Sequence, residues 1–533
     1  MPSAAPATAL HTGTDTAVNV PALLRLVQEQ AEQIAALKHQ LDWFRRQVFG
    51  QKSERFIAEP NPAQLHLGEA LPVPEANAAE SADRQQTIPT HTRRVKAKDG
   101  AEAENGEELK FFDESKVPVQ TIVLMPDTVA GLSPDQYEVI GEKVTYKIAQ
   151  RPGSVQVIKY TRPVVKIKAS AEIHSVAAPT GIFEGSRADV SFAAGLLIDK
   201  FAWHLPLYRQ HQRLEAAGIT VSRPWLTQIA QRSIGLLEPI HDAQFASIRQ
   251  SRVIAMDETP IKAGRTGHGK MKTGYFWPLY GELDEVCFPF HASRSHGYVQ
   301  QALGLAPTKD RVLLSDGYDA YARYAKKTGV THAQCWVHAR RTFVEAEGAE
   351  PEHVNDVLAQ IQKLYAIEDD IRERNLTGED KRLHRLTHSK PIVDHFFFWV
   401  DWQLHRPELI PSNLFAKALG YVLKRRAGLE VFLSDPDVPL DTNHLERALR
   451  VIPMGRKSWL FCWTELGAKH VGIVQSLIVT CRLHGIDPYD YLVDVLQRVA
   501  DHPASRVEEL TPRRWKALFA QNPLRSDLHN FPC

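Results

Sequence analysis

Cysteine is scarce in this 533-residue chain: Cys287, Cys335, Cys462, Cys481 and Cys533 are all there is, and all lie in the second half. So few, so scattered, they exclude a disulfide framework and fit a reducing compartment. Runs of about 20 apolar residues, the length a bilayer span needs, are missing too. The N-terminus lacks a charged start followed by an apolar core, so neither insertion nor export is signalled, and a cytoplasmic protein with no membrane partner is expected. Net charge is nearly absent, with 64 Lys and Arg against 63 Asp and Glu. Any nucleic-acid surface must therefore arise from local segregation of charge. What the chain does have is length and 43% hydrophobic residues, enough for several cores and several domains.

The chain is organised around Ser251-Arg-Val-Ile-Ala-Met-Asp257-Glu258-Thr259-Pro260. Arg252 to Met256 reads as a buried strand, closed by acid and a strand-ending proline. Arg311-Val-Leu-Leu-Ser315-Asp316-Gly317-Tyr318 repeats the design, so two strands end in acid. Each Asp alone could merely start a turn or cap a helix. Between them lie two strand-like runs, 274–280 and 285–290, joined by a tight turn at 281–284. After Asp316 come a short helix, Ala320 to Lys327, and a strand, Thr331 to Val337. That order predicts a ribonuclease H-like sheet, its first three strands antiparallel and its later ones parallel, with ligands beyond the strand ends where the order switches. Two metal ions bracketing a phosphoryl displacement need a third acid. Glu446 in Asp441-Thr-Asn443-His-Leu-Glu446-Arg447-Ala-Leu-Arg450 is the candidate, at a helix start. Asn443 and Glu446 also fit a capping box, which would make Glu446 a helix-start device. Asp435, Asp437 and Asp441 are rivals, but all three are read in a proline-punctuated loop that cannot hold a carboxylate as firmly as a helix. Arg447 and Arg450, on adjacent turns, could meet phosphate.

Asp257-Glu-Thr-Pro260, Gly274-Tyr-Phe-Trp277, Ser315-Asp-Gly-Tyr318, Cys335-Trp-Val-His-Ala-Arg-Arg341, and Asn443-His-Leu-Glu-Arg447 with Gly455-Arg-Lys457 resemble the transposases of the bacterial insertion sequence 66 family over most of the chain. The resemblance implies a DDE-type transposase with Asp257, Asp316 and Glu446 as the metal-binding triad. Mg²⁺, or Mn²⁺ in its place, would be the cofactor, Asp257 and Asp316 sharing one ion while Glu446 helps hold the other. His338 with Arg340 and Arg341 would line the site floor near phosphate, with Asn443 beside Glu446, and Arg456 and Lys457 join the candidate DNA contacts. Relatives often carry a Cys-x-x-Cys zinc module in the region 116–180. No cysteine precedes Cys287, so zinc is not expected, and that segment must hold by strand packing. Cys335 and His338 have a zinc-like spacing but no second pair.

The domains expected are a disordered 1–19, a coiled coil at 20–56, a linker at 57–115, a small β domain at 116–180 and a helix-turn-helix region at 186–240. A catalytic first part at 250–341, an all-α insertion at 342–439, the third-acid helix at 440–460 and a helical C-terminal region at 461–533 follow. The coiled-coil seam is Val20, Leu23, Val27, Gln30, Ile34, Leu37, Leu41, Phe44 and Val48, in alternating steps of three and four. An amphipathic helix packed on its own domain would look similar. The linker carries a basic cluster at 93–98. The β domain shows alternation at 142–148, 155–160 and 164–168.

Helices at 192–201 and 206–213, a turn at Gly218 and a helix at 222–232 capped by Ser222 have the layout of a helix-turn-helix. Arg209, Arg213, Arg223 and Arg232 are its candidate phosphate contacts. In the C-terminal region, Val471, Val474, Leu477, Ile478 and Cys481 read as one apolar helix face.

Together these features predict a multidomain α+β chain that binds double-stranded DNA, at its element's ends and at the target. It would act as a homo-oligomer, most simply a dimer, with accessory proteins of the same element as further partners. A DNA-binding, end-tethering or repressor protein without catalysis, or a nuclease that cuts without joining, are the alternatives.

Overall fold

The computed structural model describes residues 111–151, 153–179, 181–267, 270–305, 310–459 and 462–530. All of them belong to the unit Phe56–Cys533. The expected coiled coil, its seam residues Leu23, Val27, Ile34, Leu37, Leu41, Phe44 and Val48, and the basic linker cluster lie outside the described residues.

Four strands open the described chain: β1 (Val119–Val123), β2 (Tyr137–Arg151), β3 (Ser154–Ile167) and β4 (Ile173–His174). β2 and β3 pair antiparallel along nearly their whole length, from Tyr137 opposite Ile167 to Arg151 opposite Ser154. The segments expected at 155–160 and 164–168 are one strand, and Pro163 sits inside it opposite Glu142. Ile148, Ala149, Val157, Ile158 and Val165 are fully buried, so apolar packing is what holds the segment.

The central sheet is built from β5 (Val253–Met256), β8 (Leu279–Gly281), β9 (Glu285–Cys287), β11 (Val312–Ser315) and β12 (Thr331–Gln334), in the order β12-β11-β5-β8-β9. β5, β8 and β9 pair antiparallel, whereas β11 and β12 run parallel to β5, as the element order predicts. β5 and β11 are buried at every position, which is why both read as continuous apolar runs. A second sheet, β10-β7-β6, comprises β6 (Thr259–Gly267), β7 (Lys270–Phe276) and β10 (Phe290–His291). Its existence corrects two expectations. Pro260 does not end a strand but lies inside β6, at the edge of its sheet, where a missing N–H is tolerated. The run 274–280 is split at Trp277 and Pro278 between two sheets, and so is 285–290.

Three helical segments precede the central sheet: Val190–Leu197 prolonged by a π turn at Ile198–Ala202, then Leu207–Ala216, then Arg223–Ile248. The last starts at its Ser222 cap, whose side chain accepts from the Trp225 N–H, but it does not stop at Arg232. Leu226, Ile229, Ala230, Ile234, Leu237, Ile240 and Ile248 are buried at helical spacing, so one 26-residue helix crosses the expected boundary and ends in the turn before β5.

The insertion is all helical, with Pro351–Glu373, Gly378–His384, Lys390–Leu404 and Leu414–Leu423 its main members. Near the C-terminus, Glu465–Leu483 is buried at every position from Val471 to Cys481, not along one face. The reason is the sheet edge it covers. Val286 N–H donates to Thr480 Oγ1 (3.2 Å) and Phe288 N–H to Ser476 Oγ (2.9 Å), while Gln244 Nε2 of the long helix donates to the Val286 carbonyl (2.8 Å). Polar side chains of two helices thus satisfy the backbone of edge strand β9. Among the described residues no helix is long and apolar enough to cross a membrane.

Candidate active site

Asp257 follows β5 and Asp316 follows the neighbouring parallel strand β11, so both acids leave the same end of the sheet. Each uses one oxygen locally: Asp257 Oδ1 accepts from the Glu258 N–H (2.8 Å) and Asp316 Oδ1 from the Tyr318 N–H (2.8 Å). The turn-forming role and the site role therefore coexist in one side chain.

Glu446 arrives on the helix Asn443–Leu449. The capping box does not form: the N-cap is Thr442, and the Asn443 amide donates to Asp441 Oδ2 (2.6 Å). Glu446 points instead at the helix Trp336–Val344, with Oε1 4.0 Å from His338 Nε2 and Oε2 3.9 Å from Arg341 Nη2. Oε1 is buried without a hydrogen-bond partner. Of the rival acids, Asp435 and Asp437 are held by Arg252 (2.7 and 2.6 Å). Asp441 is occupied by Asn443. The third-acid helix is docked by Thr442, whose N–H and Oγ1 both meet Cys335 Sγ (3.4 and 3.2 Å), and by Trp336 N–H on the Leu440 carbonyl (3.2 Å). Burial pushes the Cys335 thiol up to about 11.

Electrostatics reveal the convergence. Burial first, then the charges of Glu258, Asp316 and Glu446, raise the Asp257 pKa to about 7. Residues far apart in the chain thus act on one carboxyl. Burial holds His338 below the usual imidazole value, Arg341 adds to this, and Asp316, Glu446 and Asp441 oppose it. The three acids form a set of hard oxygen donors, and the unpartnered Oε1 of Glu446 suits a divalent cation. Among the described residues, though, no three His, Cys, Asp or Glu side chains stand close enough to hold an ion. The charges converge without a finished coordination shell.

Several supporting residues escaped the sequence reading. Glu258 is buried, accepts from Tyr321 Oη (2.6 Å) and pairs with Arg294, whose guanidinium lies 4.1 Å over the Tyr318 ring. Arg425 donates to the Gly317 carbonyl (2.9 Å) and stacks on Tyr421 at 3.8 Å. A Cβ on Gly317 would meet the Arg425 guanidinium and the Tyr421 hydroxyl at 2.6 Å, so a side chain there would displace both from the turn after Asp316. Arg385, fully buried, pairs with Glu368 (2.7 Å) and donates to the carbonyls of Phe432 (2.8 Å) and Val438 (3.0 Å). Only the Asp-Gly-Tyr turn carried any signal of these contacts, because the partners come from distant helices.

Of the basic candidates, Arg340, Arg341, Arg447, Arg450 and Lys457 are exposed, and Arg456 donates to the Pro260 carbonyl. Arg209 is exposed, Arg213 pairs with Asp199, Arg223 lies 4.7 Å over Tyr208 and Arg232 lies 4.1 Å over Phe183.

Comparison with known proteins gives three family matches. A model described as Transposase IS66 family matches residues 185–470, one described as IS66 C-terminal element matches 476–513, and one described as Transposase C of IS166 homeodomain matches 36–103. Among similar chains are the uncharacterized proteins y4hP and y4jD of Sinorhizobium fredii (strain NBRC 101917 / NGR234). The first is 28% identical, covering 91% of this chain and 90% of the relative. The second is 27% identical, covering 92% and 96%.

Proposed function

The chain belongs to the IS66 family of transposases, and from that premise we propose a DDE-type enzyme with a ribonuclease H-like catalytic core that cuts the ends of its element and joins them to target DNA. The observation that carries this reading is the shared electrostatic field of Asp257, Asp316 and Glu446, supplied by two adjacent strand ends and a helix beyond a long insertion. Burial raises Asp257 first and the charges of Asp316 and Glu446 add to it, an environment that suits a working carboxyl better than a turn former.

Asp257 and Asp316 would hold one Mg²⁺ and Glu446 would help hold a second. Bound there, the ions would stabilise the attacking and departing oxygens of an in-line displacement. The protein's own residues do the rest. Burial keeps Asp257 raised, and the charge of Glu258, fastened by Tyr321 and Arg294, adds to it while its N–H holds one Asp257 oxygen. Arg341 and His338 orient Glu446, and exposed Arg340, Arg447 and Arg450 supply positive charge for the DNA backbone. The helix capped by Ser222, preceded by Leu207–Ala216 and a turn at Gly218 with φ +85°, would read the element's ends, and the homeodomain-described match at 36–103 would add a second DNA contact.

Incubating the purified full chain with labelled element ends and Mg²⁺ or Mn²⁺ tests the reading, with nicked and strand-transferred products expected. Glu446→Gln should abolish both products while DNA binding survives, whereas Asp437→Asn should leave them, since Asp437 is committed to Arg252. Cleavage retained by Glu446→Gln would leave a DNA-tethering protein as the better account.

A further inference from the structure

We propose that the ribbon formed by β6 and β7 is a further, sequence-independent duplex-DNA contact, a phosphate-binding ridge rooted directly at Asp257. The inference rests on the transposase reading and adds a surface to it. Between Thr259 and Phe276 stand Lys262, Arg265, Lys270 and Lys272 and not one Asp or Glu, in a chain whose basic and acidic residues otherwise nearly cancel. All four cations are exposed.

Their placement follows from strand geometry. Lys262 is paired with Thr273 and Arg265 with Met271, so these share one face of the ribbon, while Lys270 and Lys272, two apart on β7, share the other. A two-stranded ribbon basic on both faces suits a groove with a phosphate strand on either side, and the major groove admits such a ribbon. Edge protection does not account for Lys262 and Arg265. The β6 edge is already covered by Cys462, whose N–H donates to the Lys262 carbonyl (2.8 Å) and whose carbonyl accepts from the Gly264 N–H (3.2 Å).

The local partners of Lys262, Arg265 and Lys272 are exchangeable. Lys272 and Glu465 lie 3.4 Å apart, both about half exposed, and such surface pairs are weak. Lys262 Nζ donates to the neutral Thr273 hydroxyl (2.6 Å), and Arg265 stacks 4.2 Å over Trp463, which leaves its charge in place. The ridge continues into Arg456, anchored on the Pro260 carbonyl, and exposed Lys457. The root of the ribbon is the acid itself, since Thr259 follows Asp257 and Glu258. A backbone held along it would bring its scissile phosphate to the acids.

The test uses the full chain with Lys262→Gln, Lys270→Gln and Lys272→Gln combined, and Arg265 left in its stack. Binding is measured by fluorescence anisotropy on a duplex from the element's end and on a scrambled duplex of equal length, across a salt series, with thermal melts to verify the fold. Each phosphate contact contributes about 0.9 to the slope of log K against log salt. The triple variant should therefore lose roughly two to three slope units on both duplexes, keep the wild-type ratio between them, and regain slope when the three positions carry Arg. An unchanged slope in a folded variant overturns the ridge, and so does a collapse of the ratio, which would make the ribbon a base reader. A wild-type chain that binds neither duplex would overturn the transposase reading itself, a distinguishable failure.

Discussion

Asp257 concentrates the chemistry of the molecule into one titration. Its carboxyl binds a proton at about pH 7 in the folded chain against 3.8 for an ordinary Asp. The sign follows from linkage: the folded state holds the proton more tightly, so this group's stabilisation is complete below about pH 4 and is lost as pH rises through 7. At about 1.4 kcal/mol per unit, the loss is at most about 4 kcal/mol. Asp257→Asn cannot ionise, so in denaturant melts without divalent cation it should gain on wild type between pH 5 and pH 8. Added Mg²⁺ should then narrow the gap by stabilising wild type alone. An equal difference at both pH values would show that the folded chain does not raise this group.

At the level of elements, the insertion is what carries the third acid back to the sheet. Arg385 gathers the carbonyls of Phe432 and Val438 with Glu368, and Arg252 at the start of β5 clamps Asp435 and Asp437, so the loop before the Glu446 helix is pinned from two sides. Arg385→Met strips the partly buried Glu368 of its partner and the Phe432 and Val438 carbonyls of their donor, and should cost up to about 3 kcal/mol, read by denaturant unfolding. Cleavage should fall more steeply than DNA binding, because the variant loosens Glu446 and not the reader helix. A stability unchanged within about 1 kcal/mol would show the buried pair to be dispensable. Of these elements, the apolar strands β5, β11 and the Ser222 cap were legible, since burial on both sheet faces leaves an uninterrupted apolar run and a cap is a local contact. The split of 274–280 between two sheets was not, because a turn at Trp277 and Pro278 depends on which sheet edge is open.

For the whole molecule, one continuous helix joins the expected DNA reader to the central sheet, and Gln244 on it touches β9. Self-association is expected from the Leu37 and Leu41 seam, which lies outside the described residues. Replacing both leucines by Asp would place uncompensated charge in the seam. The variant should show a smaller mass by light scattering, and an unchanged mass would mean that the segment does not join copies.

The sequence alone determined the residue types, the apolar strands β5 and β11, the acid after each and the family motifs, because all of these are written in local pattern. The lack of any cysteine before Cys287, from which the expectation of no zinc follows, is likewise plain in the sequence. Tertiary structure decided which face each element buries, that Glu446 turns to His338 and Arg341 and not to its own helix start, and that Arg385, Glu258 and Arg425 brace the acids. The physical reason is range. Caps and strand periodicity act over a few residues, whereas burial and charge repulsion act between groups that only the folded chain brings together.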